Sequence, residues 1–253
     1  MSVSKPDKNK FVVGEFNRND YKIIEEGNQK DSQKDGTWKT YIIQINDKKL
    51  LYTEENFNDG QLHGPYIKYF LDGGEKEKGV YQNGEKSGQW KHYWYTPHHL
   101  SSLVTYKNGK QNGPYEQYDF SGKRLTQKGT LKDGKRNGKW IEYRSDDRQR
   151  YHKGKYEKEL IYKNGLLHGH CKFYDFMFGY LLREGKYKDD KPDGLWKYYH
   201  YSGRLTKEIN YKDGEFHGRM IHYFSDGKRY REEFYKDGTL IESKPPKLLS
   251  TQP

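Results

Sequence analysis

The chain has 253 residues, a formal net charge of +11 and few of the usual core residues, with 18 Leu, 11 Ile, 5 Val, 11 Phe and no Ala. Such a composition would be typical of a disordered chain, were it not for 25 Tyr and 5 Trp, which can bury large apolar areas while their polar tips stay in water. The missing Ala and the 27 Gly argue against long helices and favour strands joined by tight turns.

The N-terminal region precedes the regular part of the chain. Residues 1–10 are polar, and we expect them to be disordered. Residues 11–35 are predicted to form a hairpin that caps the first repeat, because an open sheet edge invites pairing with another chain. The opening MSVSKPDKNKFVV contains no apolar run of signal-peptide length, and no stretch approaches the ~20 apolar residues of a membrane span. With a single cysteine, Cys171, a cytoplasmic location is expected.

Residues 36–242 contain an internal repeat. We take the second glycine of each motif, called the closing glycine here, as position zero; its spacing along the chain is 24 to 31 residues. A bulky residue usually stands two places later, and a tyrosine stands five places later in all eight repeats. The closing glycines are Gly36, Gly64, Gly88, Gly113, Gly138, Gly169, Gly194 and Gly218. The second column is Trp38, Tyr66, Trp90, Tyr115, Trp140, Cys171, Trp196 and Met220. The tyrosine column is Tyr41, Tyr69, Tyr93, Tyr118, Tyr143, Tyr174, Tyr199 and Tyr223.

Two turn signals recur in each repeat. An Asx-Gly step such as Asn108-Gly109 or Asp133-Gly134 precedes most closing glycines and favours the two-residue turn of an antiparallel hairpin. Asp189-Asp190 is the one departure, and Asp237-Gly238 opens a ninth repeat that does not close. A second turn signal follows about ten residues later. The pattern therefore predicts two strands per repeat, on the order of sixteen strands in one open, twisted, elongated β-hairpin meander.

Two packing questions follow from the repeat. The closing glycine is expected to lie under a neighbouring aromatic ring, where any side chain would clash. The two bulky columns are three residues apart, which in a regular strand puts them on opposite faces. Either both faces carry aromatic ladders, or a bulge at the glycine brings the columns together. The tyrosine column is predicted to be mostly buried.

The pattern aromatic-x-[DN]-G-x-x-x-G-x-[WY]-x-x-Y resembles the variant MORN repeat, in the group that includes YwqK-like antitoxins. The resemblance covers about residues 27 to 242 and implies a β-hairpin solenoid. For function it implies antitoxin or immunity proteins, and also relatives that act as scaffolds or contact membranes. Cys171, Met220 and Asp190 depart from the pattern, so the ladder is expected to be thinner there.

Catalytic and metal-binding patterns are not evident. His63, His168 and His217 each precede a closing glycine, which indicates a polar turn position, and Cys171 replaces an aromatic residue as a buried spacer. His98-His99 has no neighbouring cysteine and no HExxH context. No nucleophile elbow, phosphate-binding loop or dinucleotide fingerprint is present. We therefore expect a protein that is not an enzyme and has no cofactor or metal.

The net charge of +11 is compatible with nucleic acid, an anionic membrane surface or an acidic protein. Nucleic acid is not favoured, because lysines recur at hairpin ends as solubilising residues and 36 acidic residues dilute any basic stripe. The leading interpretation is a non-catalytic protein-binding repeat protein that neutralises a cognate toxin as an immunity protein or antitoxin. The alternative is a structural scaffold or membrane-edge adaptor of a large assembly, with peripheral contact to an anionic membrane.

Residues that break the repeat are the candidates for partner binding, since repeat proteins often carry function in insertions. Two inserts lengthen hairpin connections, at 96–103 and 144–160, and both are expected to emerge at the same edge of the sheet. The tail from 243 to 253 is expected to be disordered. The candidate partner-binding residues are Trp94, Tyr95, His98, His99, Arg144, Arg148, Arg150, Tyr151 and His152.

Overall fold

The structure is a computed structural model that describes residues 22–44, 46–143 and 156–244, with Tyr156 described by its backbone alone. These residues form 20 β-strands and no α-helix. The described chain therefore has no helix of the length and apolarity needed to span a bilayer. The predicted all-β hairpin meander is confirmed.

The chain divides into two compact segments, residues 1–125 and residues 126–253, here called the N-terminal and C-terminal segments. In the N-terminal segment, consecutive strands pair antiparallel as an open meander. Its strands are β1 (Lys22–Lys30), β2 (Gln33–Ile43), β3 (Lys49–Asn58), β4 (Gln61–Leu62), β5 (Gly64–Tyr69), β6 (Glu75–Gln82), β7 (Glu85–Tyr93), β8 (Leu100–Lys107) and β9 (Lys110–Tyr118).

In the C-terminal segment, consecutive strands pair antiparallel in the same way. Its strands are β10 (Leu125–Lys132), β11 (Lys135–Tyr143), β12 (Tyr156–Lys163), β13 (Leu166–Leu167), β14 (Gly169–Tyr174), β15 (Leu181–Lys188), β16 (Lys191–Tyr199), β17 (Leu205–Lys212), β18 (Glu215–Tyr223), β19 (Arg229–Lys236) and β20 (Thr239–Lys244). Twenty strands exceed the expected sixteen because two strands are split before a closing glycine and the ninth repeat supplies β19 and β20.

The predicted boundaries are described only in part. Residues 1–21 and 245–253 lie outside the described residues, so the predictions for residues 1–10, for most of the cap and for most of the tail are not tested. The covered part of the predicted cap, residues 22–35, supplies β1, the turn after it and the start of β2. These residues form the first hairpin of the repeat series, with Lys22 opposite Ile43 and Lys30 opposite Gln33.

The Asx-Gly turns have the predicted conformation. Both central residues of these turns have positive φ, as at Asn108 and Gly109 (49° and 70°) and at Asp133 and Gly134 (50° and 76°). The exceptional Asp189-Asp190 step adopts the same conformation, with φ of 49° and 66°. Asp190 also accepts a hydrogen bond at Oδ1 from the Leu167 backbone N–H at 2.7 Å. The repeat therefore keeps its turn geometry where the glycine is missing.

The core is a row of residues that crosses the strands, which we call the core row. It alternates between the residue nine places before a closing glycine and the residue two places after it, and cross-strand pairing places these residues side by side. In the N-terminal segment it reads Gly27, Trp38, Glu55, Tyr66, Gly79, Trp90, Val104 and Tyr115. In the C-terminal segment it reads Gly129, Trp140, Leu160, Cys171, Gly185, Trp196, Ile209, Met220 and Glu233.

The core row repeats every four strands rather than every two. Each of its four tryptophans follows a glycine eleven residues earlier in the same hairpin, and a side chain added to that glycine would overlap the indole ring. The intervening hairpins place other pairs at these positions, Val104 with Tyr115 and Ile209 with Met220 among them. The four tryptophans are between 0% and 1% exposed. Each set of four strands thus contains one indole ring, which lies where the glycine has no side chain.

The expectation about the closing glycines was wrong. None of them lies under an aromatic ring, and at Gly36, Gly88, Gly138 and Gly194 an added Cβ would meet no atom within 4 Å. All eight closing glycines have positive φ, from 68° to 130°, so they are needed for backbone conformation rather than for close packing. The glycine under the ring is the one nine residues earlier.

The tyrosine column is also less buried than predicted. All eight tyrosines are half-buried, whereas most of the column three residues earlier is buried. The two columns lie on opposite faces of the strand, because a separation of three in a continuous strand reverses the side. Their contacts agree, since Trp196 packs against Tyr187 and Tyr211 while the Tyr199 hydroxyl donates to Glu184 Oε1 at 2.7 Å. Both faces therefore carry a ladder.

Candidate functional site

The four core-row tryptophans are surrounded by groups of the chain itself. Each indole N–H donates to the backbone carbonyl eight places before the closing glycine, at 2.8 to 3.2 Å. Above each ring lies a cation of the chain itself: Lys34 Nζ is 4.5 Å from the Trp38 centroid, Lys86 Nζ is 3.7 Å from Trp90, Arg136 Cζ is 4.3 Å from Trp140 and Arg183 Cζ is 5.9 Å from Trp196. These cation sites are filled internally, so the four rings serve the core rather than a ligand.

The opposite face is a ladder of tyrosines and carboxylates. In the C-terminal segment Tyr174, Tyr199 and Tyr223 donate to the glutamate fifteen residues earlier, at 2.6 to 3.0 Å. Burial alone would raise the pKa of Glu184, but hydrogen bonds from Tyr199 and His170 outweigh it and lower that pKa. These carboxylates are already engaged, so this ladder stabilises the sheet.

The histidines and the cysteine also have structural partners. His168 and His217 lie before closing glycines, and their Nδ1 atoms are 3.2 Å and 3.1 Å from the Oδ1 atoms of Asp189 and Asp237 in the next turn. Cys171 is fully buried in the core row, and burial raises the pKa of its thiol. Within the described ranges, no three His, Cys, Asp or Glu side chains are grouped so that they could hold a metal ion.

Many of the exposed apolar residues lie along one edge of each meander. The turns that join one hairpin to the next carry a large apolar residue seven places after the closing glycine, or six in the case of Phe224. We call these residues the turn-edge row. They are Leu71 (43% exposed), Tyr95 (57%) and Phe120 (60%) in the N-terminal segment, and Phe176 (55%), Tyr201 (65%) and Phe224 (51%) in the C-terminal segment. The opposite edge carries the polar Asx-Gly turns.

Four of the predicted partner-binding residues lie in or beside this row: Tyr95 is a member, and Trp94, His98 and His99 are its neighbours. Trp94 Nε1 donates to the Asp119 carbonyl at 3.0 Å, and its ring lies 6.0 Å from Phe120. His98 Nε2 is 3.2 Å from Asp72 Oδ2 in the preceding turn, and His99 is half-buried. These contacts tie three successive turns together. Tyr95, in contrast, remains largely exposed. The remaining candidates, Arg144, Arg148, Arg150, Tyr151 and His152, lie outside the described residues.

A hollow of about 490 Å³ opens beside Tyr95 in the N-terminal segment, a volume within the range of ligand pockets. It is lined by Ile42, Tyr52, Tyr69, Phe70, Leu71, Lys76 and Tyr95. The Phe70 ring meets Tyr95 edge-on at 5.1 Å and His98 at 5.9 Å. Two backbone hydrogen bonds between Phe70 and the Gly73–Gly74 step, at 2.8 and 3.0 Å, close the turn. The wall of the hollow is therefore preformed.

Sequence reasoning found the Trp94–His99 insert but missed both the core row and the turn-edge row. Both rows are visible when the repeats are aligned on the closing glycine. A glycine stands eleven residues before every tryptophan of the second column. An apolar residue also stands seven places after six of the closing glycines.

The chain matches no protein-family model, and a search of curated proteins finds no significant match. The turn-edge row and the hollow are therefore defined by their geometry alone.

Proposed function

We propose that this protein is a non-catalytic binding protein that contacts a protein partner through its turn edge. The observation that carries the proposal is the turn-edge row, whose members leave between 43% and 65% of their surface in water at equivalent places in successive repeats. Grouped exposed apolar side chains are typical of interaction sites, and aromatic residues are enriched in protein interfaces. Tyr and Phe also lose little conformational entropy when they become ordered.

The partner is proposed to be a cognate toxin, which the protein neutralises as an immunity protein or antitoxin. This finer proposal is supported by the resemblance of the repeat to the variant MORN group. A cytosolic location belongs to the same proposal, because a single cysteine fits a reducing compartment. Neutralisation requires only an occluding interface of ordinary size, which a rigid row of aromatic turns can supply.

Co-expression with the products of neighbouring genes tests this function. We expect one of these products to arrest growth alone and to be neutralised by the protein through a direct complex. A triple variant of the N-terminal row, Leu71→Ser with Tyr95→Ser and Phe120→Ser, should lose the complex while its circular dichroism is unchanged. Retention by a large assembly or by anionic vesicles instead of a toxin would favour the scaffold or membrane-edge alternative. Full neutralisation by the triple variant would contradict the proposed surface.

A further inference from the structure

We infer that the hollow beside Tyr95 binds a partner segment that presents an aromatic or branched aliphatic side chain next to a carboxylate. This inference deepens the proposed function, on which it rests, by naming the chemistry of the partner. It is carried by the apolar lining of the hollow, by its preformed aromatic wall and by the charge at its rim.

The lining favours an apolar anchor. Five of the seven lining side chains are Tyr, Phe or Leu, and Ile42 adds a further apolar surface. Leu71 and Tyr95 stand at the mouth and are exposed, whereas Tyr52, Tyr69 and Phe70 are half-buried. A ring or branched side chain entering from solvent would cover these surfaces, as buried anchors do in protein interfaces.

The rim favours a carboxylate beside that anchor. Lys76 is the only charged side chain of the lining, and its Nζ lies 5.8 Å from the Phe70 centroid. The neighbouring carboxylates are engaged elsewhere, since Asp72 meets His98 at 3.2 Å and Glu75 meets Lys78 at 2.8 Å. Among the described residues no carboxylate lies within ion-pair distance of Lys76. A carboxylate of the partner would therefore form an ion pair with the Lys76 ammonium.

The position of Lys76 is specific to this repeat. The residue twelve places before the closing glycine is Ile24, Tyr52, Ser101, Thr126, Glu157, Leu182 or Thr206 in the other repeats, so none of those carries a cation there. The wall is also specific, because His98 belongs to the insert and holds the turn that bears Phe70. Among the eight repeats, Lys76 is thus the only cation at this position of the pattern.

Titration with two short peptides tests the inference. The probes are the blocked tetrapeptides acetyl-Gly-Phe-Asp-Gly-amide and acetyl-Gly-Phe-Asn-Gly-amide, which have nearly the same shape and differ in charge. We expect the Asp peptide to shift the backbone amide signals of Phe70, Leu71, Lys76 and Tyr95 in ¹H–¹⁵N spectra of the full chain. It should bind about three- to fivefold more tightly than the Asn peptide, the usual gain for an exposed ion pair.

Matched variants locate the effect. Lys76→Gln should abolish the preference for the Asp peptide, and Tyr95→Ser should weaken both peptides. The controls Lys123→Gln and Val80→Ser, which remove an exposed cation and an exposed apolar side chain elsewhere in the same segment, should leave both affinities unchanged. The inference is overturned if the shifts do not localise to the hollow, or if Lys76→Gln keeps the preference.

The two proposals fail separately. If a toxin binds the wild type and the Lys76→Gln and Tyr95→Ser variants equally, the hollow is not the contact although the proposed function holds. If the peptides bind as expected but no gene product is neutralised, the hollow is a binding site and the proposed function is wrong.

Discussion

At the scale of single residues, the core depends on the fit between each core-row tryptophan and the glycine that stands eleven residues before it. Gly79 and Trp90 are partners in one hairpin, and Val104 and Tyr115 occupy the equivalent positions in the next. The same backbone therefore accepts two different pairs, in which a larger residue faces a smaller one. Invariance among the repeats did not reveal this fit. The tyrosine that occurs in all eight repeats is half-buried, whereas the variable second column, three residues earlier, forms the core.

This fit predicts a rescue. Gly79→Val should destabilise the protein by about 1–3 kcal/mol, because the new side chain collides with the indole. Adding Trp90→Tyr should recover part of that loss by recreating the Val104–Tyr115 pair, with a favourable coupling of about 1 kcal/mol. Urea unfolding of the wild type, both single variants and the double variant measures the coupling. Simple additivity of the two single changes would show that the pair is not matched in volume.

Alkaline pH should weaken the protein through its tyrosines. Burial and a 2.6 Å hydrogen bond to Glu116 raise the pKa of Tyr118 to about 12. The unfolded chain loses this proton near pH 10, whereas the folded chain keeps it, so stability falls as pH rises between about 10 and 12. The urea midpoint should drop between pH 9.5 and pH 11.5 in the wild type and drop less in Tyr118→Phe. Equal drops would mean that Tyr118 titrates normally.

At the scale of the elements, the turns were predictable and the loop contacts were not. An Asx-Gly step fixes its turn through local backbone preference, so the sequence was enough to predict positive φ at Gly109 and Gly134. The contact of Trp94 with the Asp119 carbonyl joins turns 25 residues apart. Its geometry depends on how the hairpins stack, which no local pattern contains.

The turns also predict an order of tolerance. Gly134 has a φ of 76° with no atom within 4 Å of an added Cβ, so only backbone strain opposes a substitution. Gly134→Asp, which mimics the native Asp190, should cost about 1 kcal/mol less than Gly134→Val, because aspartate tolerates left-handed backbone better than a β-branched residue. Thermal unfolding compares the two variants. A less stable Asp variant would indicate that Asp190 owes its place to the Leu167 hydrogen bond alone.

At the scale of the molecule, the four-strand period of the core row predicts which deletions are tolerated. Removing residues 157–181 deletes one hairpin and leaves Trp140 beside Gly185 instead of Leu160, so the indole loses its packing on that side. Removing residues 157–205 deletes two hairpins but places Trp140 beside Ile209, which restores a native sequence of neighbours.

The shorter protein should therefore have the higher melting temperature. In repeat proteins stability is close to a sum over repeats and their interfaces, so a simple count of repeats predicts the reverse order. Circular dichroism melting of both deletion variants decides between packing and repeat number. If the melting temperature instead falls with each hairpin removed, the four-strand period contributes nothing measurable to stability.

Because Cys171 is buried, the rate at which the chain's only thiol reacts measures how often the C-terminal segment opens. Its sulfur is fully covered in the core row, so an alkylating reagent can reach it only while neighbouring strands are separated. If hairpins separate locally, the labelling rate in water should report a smaller free energy than global unfolding by urea. Equal free energies from labelling and from urea unfolding would mean that the segment opens only as a whole. A partner bound at the turn edge would then slow the labelling of Cys171 without touching that residue.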